Sequence, residues 1–175
     1  MWYSYLFGYL FATVLGAVLI GMVVDRLWHS VGWRGPQDST FRLSSRIPLV
    51  VGVVERVMYV TALQLGIAEF LGFWLALKVA GQWKQWGEET KIPEVVQHER
   101  RLHGRAVFQV FLVGNSLSLM YSVTGFKIVE WMNSGDFIWL TVVPALLVLG
   151  TLLLWLFVRL FIPPIQWHTH PPPRS

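Results

Sequence analysis

The stretch WYSYLFGYLFATVLGAVLIGMVV, residues 2–24, decides the class of fold, because none of its 23 residues is charged. A helix that crosses a membrane needs about 20 apolar residues to cover about 30 Å of hydrocarbon at about 1.5 Å per residue. No Lys or Arg precedes this stretch and no small-residue cleavage site follows it, which favours a retained helix over a removable signal peptide. The sequence therefore predicts a membrane crossing at residues 2–24.

The composition of the whole chain agrees with a membrane location. Of its 175 residues, 54% are hydrophobic and only 14% are charged, whereas a soluble domain carries about 25% charged residues. The absence of Cys excludes a disulfide framework, a thiolate metal site and a thiol nucleophile. The net charge of +4 fits contact with anionic lipid headgroups better than binding of nucleic acid.

Three further apolar stretches predict an all-α fold, a single transmembrane domain over residues 1–175. The stretch 47–81 would form a helix of about 52 Å, longer than a bilayer core, so only its central part is expected to cross. A hydrophilic loop is predicted at 82–104, in which Pro93 separates two short helical pieces. The predicted integral membrane bundle has four transmembrane helices, which cross at residues 2–24, 57–77, 106–126 and 137–160.

Four crossings would place both termini on one side of the membrane, and the Lys and Arg residues indicate which side. Eight of them belong to the side with the termini and the long loop, against five on the opposite side. Cytoplasmic segments are enriched in Lys and Arg. We therefore expect a bacterial inner-membrane protein with both termini in the cytoplasm.

Charged and polar residues predict a polar seam between the second and third crossings. A charge at bilayer depth costs about 2.5–3.5 kcal/mol on insertion scales, so Glu69, about 18 Å into the second crossing, requires a polar partner. On a helix, Glu55 lies on the same stripe as Glu69, and Arg56 lies on a neighbouring stripe. Glu55 and Arg56 are expected to form ion pairs with nearby loop residues. The third crossing would complete the seam with amide and hydroxyl groups from Gln109, Asn115, Ser116, Ser118 and Ser122.

The first crossing also carries small residues at helical spacing. These are Gly8, Ala12, Gly16 and Gly21. Small residues let the backbone of another membrane helix approach closely. They predict a helix-packing surface.

The sequence offers little support for catalysis or for a bound cofactor. None of the five His residues lies in a predicted crossing, where an axial ligand of a membrane haem would be needed. Their spacings do not match the H-E-x-x-H zinc motif. Ser116 has no predicted base at its depth. We expect no metal, no cofactor and no catalytic residue.

Several of these residues also form motifs. Gly52-Val53-Val54-Glu55-Arg56, then Gly72-Phe73 and Ala76-Leu77-Lys78, then the stretch FLVGNSLS at residues 111–118, resemble an uncharacterised family of small bacterial multipass membrane proteins. That family has Gly-x-x-Glu-Arg, a helix end with Ala-x-Lys, and Phe-Leu-x-Gly-Thr-x-x-Ser in the next helix. The resemblance covers residues 52–118 and implies a shared two-helix polar core. Here Gln109 stands where the family has an acidic residue, and Asn115 replaces its Thr.

These observations lead to two main predictions of function. The first is a non-enzymatic structural or accessory subunit that contacts membrane lipids and assembles with other membrane-protein subunits or with copies of itself. The alternative is a homo-oligomeric ion or proton channel whose path is lined by Glu69, Glu55 and Asn115. A third reading, an enzyme acting on a lipid headgroup, would require water to reach Glu69.

Overall fold

The computed structural model describes residues 2–30, 47–87 and 94–162, and this part of the chain is helical without a strand. Among the described helices, the first and the last are long and apolar enough to cross a membrane. The all-α class is confirmed, but the described chain has five helices where four were expected. They are α1 (Trp2–Ser30), α2 (Ile47–Gln64), α3 (Glu69–Gly87), α4 (Glu94–Ser134) and α5 (Phe137–Phe161).

A π-helical turn, Phe11–Leu15, lies in the middle of α1. In an α-helix, residues spaced by four drift around the axis by about 40° per step. A π turn is wider, since its hydrogen bonds join residues five apart, and here the Gly16 N–H donates to the Phe11 carbonyl. The wider turn offsets part of this drift, so residues spaced by four stay on one face of α1. The buried residues on this face are Ser4, Gly8, Ala12, Gly16 and Ile20.

The apolar stretch 47–81 folds back on itself to form a hairpin of α2 and α3. The connecting turn contains Gly66, whose φ of +73° is sterically unfavourable for other residues. The N–H of Ile67 donates to the Ala62 carbonyl at 2.9 Å and closes the end of α2. A continuous helix over 57–77 is therefore not formed, because two antiparallel helices of about 27 and 28 Å take its place.

The hydrophilic stretch 82–104 is also organised differently from the prediction. Its first part belongs to α3, which ends at Gly87, and its last part belongs to α4, which begins at Glu94. With 41 residues, α4 is about 62 Å long and contains the predicted crossing 106–126. The predicted short helical piece after Pro93 is thus continuous with the long helix.

Contacts between helix ends show how the five helices are arranged. At one end of the bundle, Ser4 in α1 donates to Asn133 in α4 at 3.0 Å, and Tyr9 in α1 lies 2.7 Å from Thr61 in α2. We call this the turn end, because the turns after α2 and α4 lie there. At the opposite, loop end, Ser30 in α1 lies 3.5 Å from the carbonyl of Ile162 after α5.

The helix directions follow from these contacts. Helix α1 starts at the turn end, α2 runs towards it, α3 away from it, α4 towards it and α5 away from it. The start of α1 and the end of α5 therefore lie at opposite ends of the bundle. This differs from the prediction that both termini share one side, and the cause is the additional helix in the hairpin.

The interior is formed mainly where α4 packs against the other helices. The closest approach is between backbones: a Cβ atom built on Gly125 would lie 2.6 Å from the Gly8 carbonyl oxygen. Beyond it, Val23 of α1 packs in one apolar cluster with Tyr121 of α4. Helix α5 contacts α1 and α4, and its outward face consists of exposed apolar side chains that include Leu146, Leu149, Leu153 and Phe157.

Candidate functional site

An ion pair between Glu55 and Lys78 lies inside the bundle. Glu55 is near the middle of α2 and only 4% of its surface is exposed. The Lys78 ammonium of α3 lies 2.7 Å from each carboxylate oxygen, and the Trp74 indole N–H donates to Oε1 at 3.3 Å. The carboxylate therefore has three polar contacts, all from the facing helix of the hairpin.

Lys78 extends this cluster to α4. Its ammonium donates to the side-chain oxygen of Asn115 at 2.6 Å and lies 5.4 Å from the centre of the Phe111 ring. The Asn115 amide donates in turn to the Phe111 carbonyl at 2.7 Å, which fixes the orientation of the acceptor oxygen. One lysine thus connects α2, α3 and α4, and we call Glu55, Trp74, Lys78 and Asn115 the interior polar cluster.

The hairpin geometry explains why Glu55 and Lys78 meet. The two helices are antiparallel about the turn at residues 65–68, and Glu55 and Lys78 lie at nearly equal distances in sequence from it. The same pairing brings Tyr59 of α2 against Leu71 and Trp74 of α3. The position of the turn in the sequence therefore determines that Glu55 pairs with Lys78.

Arg56 is buried next to this cluster but faces a different helix. Its exposed fraction is 3%, and a Cβ atom built on Gly16 of α1 would lie 3.3 Å from its Cδ. Its Nε has no hydrogen-bond partner. Glu55 and Arg56 are both buried, so the prediction that they pair with loop residues differs from what the described part of the chain shows.

The other residues of the predicted seam divide into two groups. Asn115, Ser118 and Ser122 face the interior: Asn115 contacts Lys78, the Ser122 hydroxyl donates to the Ser118 carbonyl at 2.8 Å, and the buried Ser118 hydroxyl has no partner. Gln109 and Ser116 are exposed on α4. Amide and hydroxyl groups therefore line only part of the interface.

Glu69 does not belong to the interior polar cluster. It is the first residue of α3, at the turn end of the bundle, and it is exposed. The prediction of a buried Glu69 that accepts hydrogen bonds from α4 is wrong. An acidic residue in the first turn of a helix instead lies near the positive end of the helix dipole, where its charge is favourable.

The small residues of α1 pack inside the protomer. Gly8 and Ala12 contact Gly125 of α4, and Gly16 lies against Arg56. Gly21 is exposed with open space around its Cα. The first three of these positions therefore pack closely against helices of the same chain.

Lys78 and Trp74 were not predicted as partners of Glu55. A signal for them was present, because the stretch 47–81 is too long for one crossing and pairs these residues if it is folded near its middle. The cluster consists of a carboxylate, an ammonium, an amide and an indole N–H in mutual contact. Such groups can hold helices together and can exchange a proton, but within the described residues no three His, Cys, Asp or Glu side chains gather as metal ligands.

Comparisons with protein-family models, curated proteins and solved structures find no match to this chain.

Proposed function

We propose that the chain is an integral membrane protein with five crossings that serves as a non-enzymatic structural or accessory subunit. The observation that carries this proposal is the inverted distribution of polarity. Glu55 and Arg56 are buried, whereas the outward faces of α1 and α5 expose large apolar side chains such as Phe7, Val14 and Phe157. A water-soluble protein rarely exposes continuous apolar surface on this scale.

The interior polar cluster makes membrane insertion of α2 and α3 energetically reasonable. Charged residues within membrane helices usually face the bundle interior and pair with each other. Glu55 and Lys78 satisfy both conditions through their 2.7 Å contact. The polar groups of the cluster form hydrogen bonds and an ion pair with one another. This supports a role in holding helices together rather than in binding a substrate.

Five crossings also give a clear orientation. By their place in the chain, eleven of the 14 Lys and Arg residues belong to the loop end or to the segments that follow helices there, whereas Lys127 alone is near the turn end. Since cytoplasmic segments are enriched in Lys and Arg, the loop end would be cytoplasmic. The eleven residues are Arg26, Arg34, Arg42, Arg46, Lys84, Lys91, Arg100, Arg101, Arg105, Arg159 and Arg174.

This orientation replaces the one expected from four crossings. The earlier count assigned the two basic connections, 31–46 and 88–93, to opposite sides. With α2 and α3 as separate crossings, both connections join helix ends at the loop end. The proposed topology in a bacterial inner membrane therefore has the C-terminal end of α5 on the cytoplasmic side and the start of α1 on the opposite side.

Cysteine labelling tests the topology directly, since the chain has no Cys of its own. Three exposed positions are suitable: Ala68 and Ser134 at the turn end, and His29 at the loop end. A membrane-impermeant maleimide should label A68C and S134C on intact cells, and H29C only after lysis. If the maleimide labels all three variants on intact cells, or fails to label A68C even after lysis, the five-crossing topology is contradicted.

The subunit role predicts a stable assembly in the membrane. Because Gly8 and Gly16 pack inside the protomer, partners would contact other apolar faces of the bundle. Native mass spectrometry of the tagged chain extracted from its own membrane should give masses above the 20.1 kDa of one chain. A single species at the mass of the monomer under mild extraction would refute the subunit role.

The second proposal is an ion or proton channel formed by several copies, and the exposure of Glu69 is the observation that favours it. A ring of Glu69 carboxylates would lie at the mouth of such a path, at the turn end. Cation flux into proteoliposomes should then fall when Glu69 is replaced by Gln. Absence of any flux with the parent protein would exclude the channel.

A further inference from the structure

The guanidinium group of Arg56 lies in a notch formed by two glycines. A Cβ atom built on Gly52, one helical turn before Arg56 in α2, would lie 3.3 Å from Nη1 and 3.8 Å from Nη2. On the other side, a Cβ atom built on Gly16 of α1 would lie 3.4 Å from Nε. The absence of side chains at these two positions leaves room for the guanidinium beside the helix backbones.

Among the described side chains, no acidic group forms an ion pair with Arg56. The neighbouring acid is Glu55, but Lys78 and the Trp74 N–H already contact both of its carboxylate oxygens. The ion pairs that the structure describes join Glu55 with Lys78 and Lys127 with Glu130, and neither includes Arg56. Glu55 attracts both Lys78 and Arg56, so these three buried or partly buried groups carry a net charge of +1. Because Arg56 is only 3% exposed and has no ion-pair partner, this net charge favours binding of a counter-ion there.

We propose that Arg56 binds an oxyanion of the phosphate type over Gly52, a ligand that goes beyond the role of an assembly subunit. A guanidinium donates two parallel N–H bonds to two oxygens of such a group, which gives strength and orientation. The two Nη atoms are the ones that lie at Gly52, which is only partly buried. The anion therefore contacts the outer edge of the guanidinium, while Nε stays covered by α1.

The depth of the notch allows two sources for this anion. Gly52 is five residues after the first residue of α2, about 8 Å along the helix from the loop end. A phosphate from an anionic phospholipid headgroup reaches this depth from the membrane surface, and so does free inorganic phosphate. The chemistry at the guanidinium is the same in both cases.

Thermal unfolding of the full chain in neutral detergent, followed by the fluorescence of its ten Trp residues, tests the proposal. The probes are inorganic phosphate, phosphatidylglycerol, and phosphatidylcholine as the zwitterionic control. At about 100 times Kd, a bound anion should raise Tm by about 5–10 °C for a chain of this size. A rise with phosphate identifies a free oxyanion as the ligand, and a rise with phosphatidylglycerol alone identifies a lipid headgroup.

Replacing Arg56 distinguishes this site from non-specific effects. Arg56→Gln should abolish the rise and should increase Tm in the absence of anion, because the excess buried charge is removed. Arg56→Lys keeps the charge without the planar pair of donors and should retain less than half of the rise. An equal rise in the parent and in Arg56→Gln, or no rise in the parent with either probe, would overturn the proposal.

Glycine substitutions provide a test that does not change the charge. Gly52→Ala would place a methyl group 3.3 Å from Nη1 and should reduce the anion-dependent rise to less than half. The matched control is Gly150→Ala on α5, where nothing lies within 4 Å, and the rise should be unchanged. If Gly52→Ala keeps the full rise, the anion does not bind at this notch and the proposal fails.

Discussion

Replacing Lys78 by Met should destabilise the protein far more than replacing Lys127 by Met, although both lysines form ion pairs of nearly equal length. Lys78 lies 2.7 Å from Glu55, and Lys127 lies 2.6 Å from Glu130. The pairs differ in burial: the side chains of the first are 22% and 6% exposed, and those of the second 45% and 47%. The comparison therefore isolates the effect of the environment.

The expected magnitude follows from this difference in burial. At 2.7 Å and an effective dielectric constant of about 20, the Coulomb attraction is about 6 kcal/mol before the desolvation cost is subtracted. Removing one partner of a buried pair typically costs about 3–5 kcal/mol, and we reduce this to about 2–4 kcal/mol because Lys78 is partly exposed. The exposed pair, three residues apart on α4, contributes about 0.2–0.5 kcal/mol.

A double-mutant cycle measures the interaction itself. Glu55→Gln alone leaves the Lys78 ammonium without its counter-charge and should cost an amount similar to Lys78→Met. The double variant should recover part of the loss, with a coupling energy of about 1.5–3 kcal/mol between the two sites. The measurement is reversible unfolding of the detergent-solubilised protein by SDS, followed by Trp fluorescence.

Two results would refute this reasoning. If Lys78→Met and Lys127→Met cost the same within about 0.5 kcal/mol, the ion pair at Lys78 does not lie in a low-dielectric interior. If the losses of Glu55→Gln and Lys78→Met simply add within about 0.5 kcal/mol, the two side chains do not interact.

Three further predictions concern single side chains. Tyr59→Phe should leave the stability unchanged or increase it, because the buried Tyr59 hydroxyl has no hydrogen-bond partner. Tyr121→Phe loses a 3.1 Å hydrogen bond and should lower the stability by about 1 kcal/mol. If SDS unfolding shows Tyr59→Phe to be the less stable of the two variants, the structure is contradicted. Gly8→Ala should lower the stability by about 1–3 kcal/mol, because the added methyl group overlaps with α4. Gly21→Ala places its methyl group in open space and should raise the stability by up to about 1 kcal/mol. Equal Tm values for these two variants would argue against the close contact between α1 and α4. Glu69→Gln should change stability by less than about 1 kcal/mol, and a larger loss would indicate that this carboxylate is buried.

The helices that the sequence predicts well are those whose ends are marked locally. Helix α5 covers the predicted stretch 137–160 because it has no charged residue before Arg159, follows a glycine turn and precedes two prolines. The turn before it contains Gly135, with φ of +82°. Apolar length and turn residues are properties of neighbouring residues, so no knowledge of tertiary contacts is required.

The hairpin of α2 and α3 could not be placed by the same reasoning. The turn between them is formed by apolar residues with Gly66, so the hydropathy of the stretch shows no interruption. The length of the stretch was explained by helix ends that extend beyond the bilayer core, and a single crossing placed at 57–77 put Glu69 near its centre. The correct partners of Glu55 become visible only once the chain reverses direction near Gly66.

The surface on which the small residues of α1 pack could not be predicted either. Their spacing indicates that a backbone can approach closely, and the structure places the backbones of Gly8 and Gly125 next to each other. Spacing carries no information on whether the approaching helix belongs to the same chain. The residues four before and four after Gly125 are the large Tyr121 and Val129, so small-residue spacing does not mark Gly125 and only the tertiary structure identifies it as the partner.

The energetics of insertion give a reason for the hairpin itself. Glu55 and Arg56 together would cost about 5–7 kcal/mol at the centre of a membrane helix, against about 3–5 kcal/mol gained from the nine Val, Leu and Ile residues of α2. A lone α2 is therefore close to balance or unfavourable, and pairing with α3 neutralises Glu55 through Lys78. The hairpin adds no ion-pair partner for Arg56, so the buried groups Glu55, Lys78 and Arg56 keep a net charge of +1. This net charge is the reason why an anion is expected at Arg56.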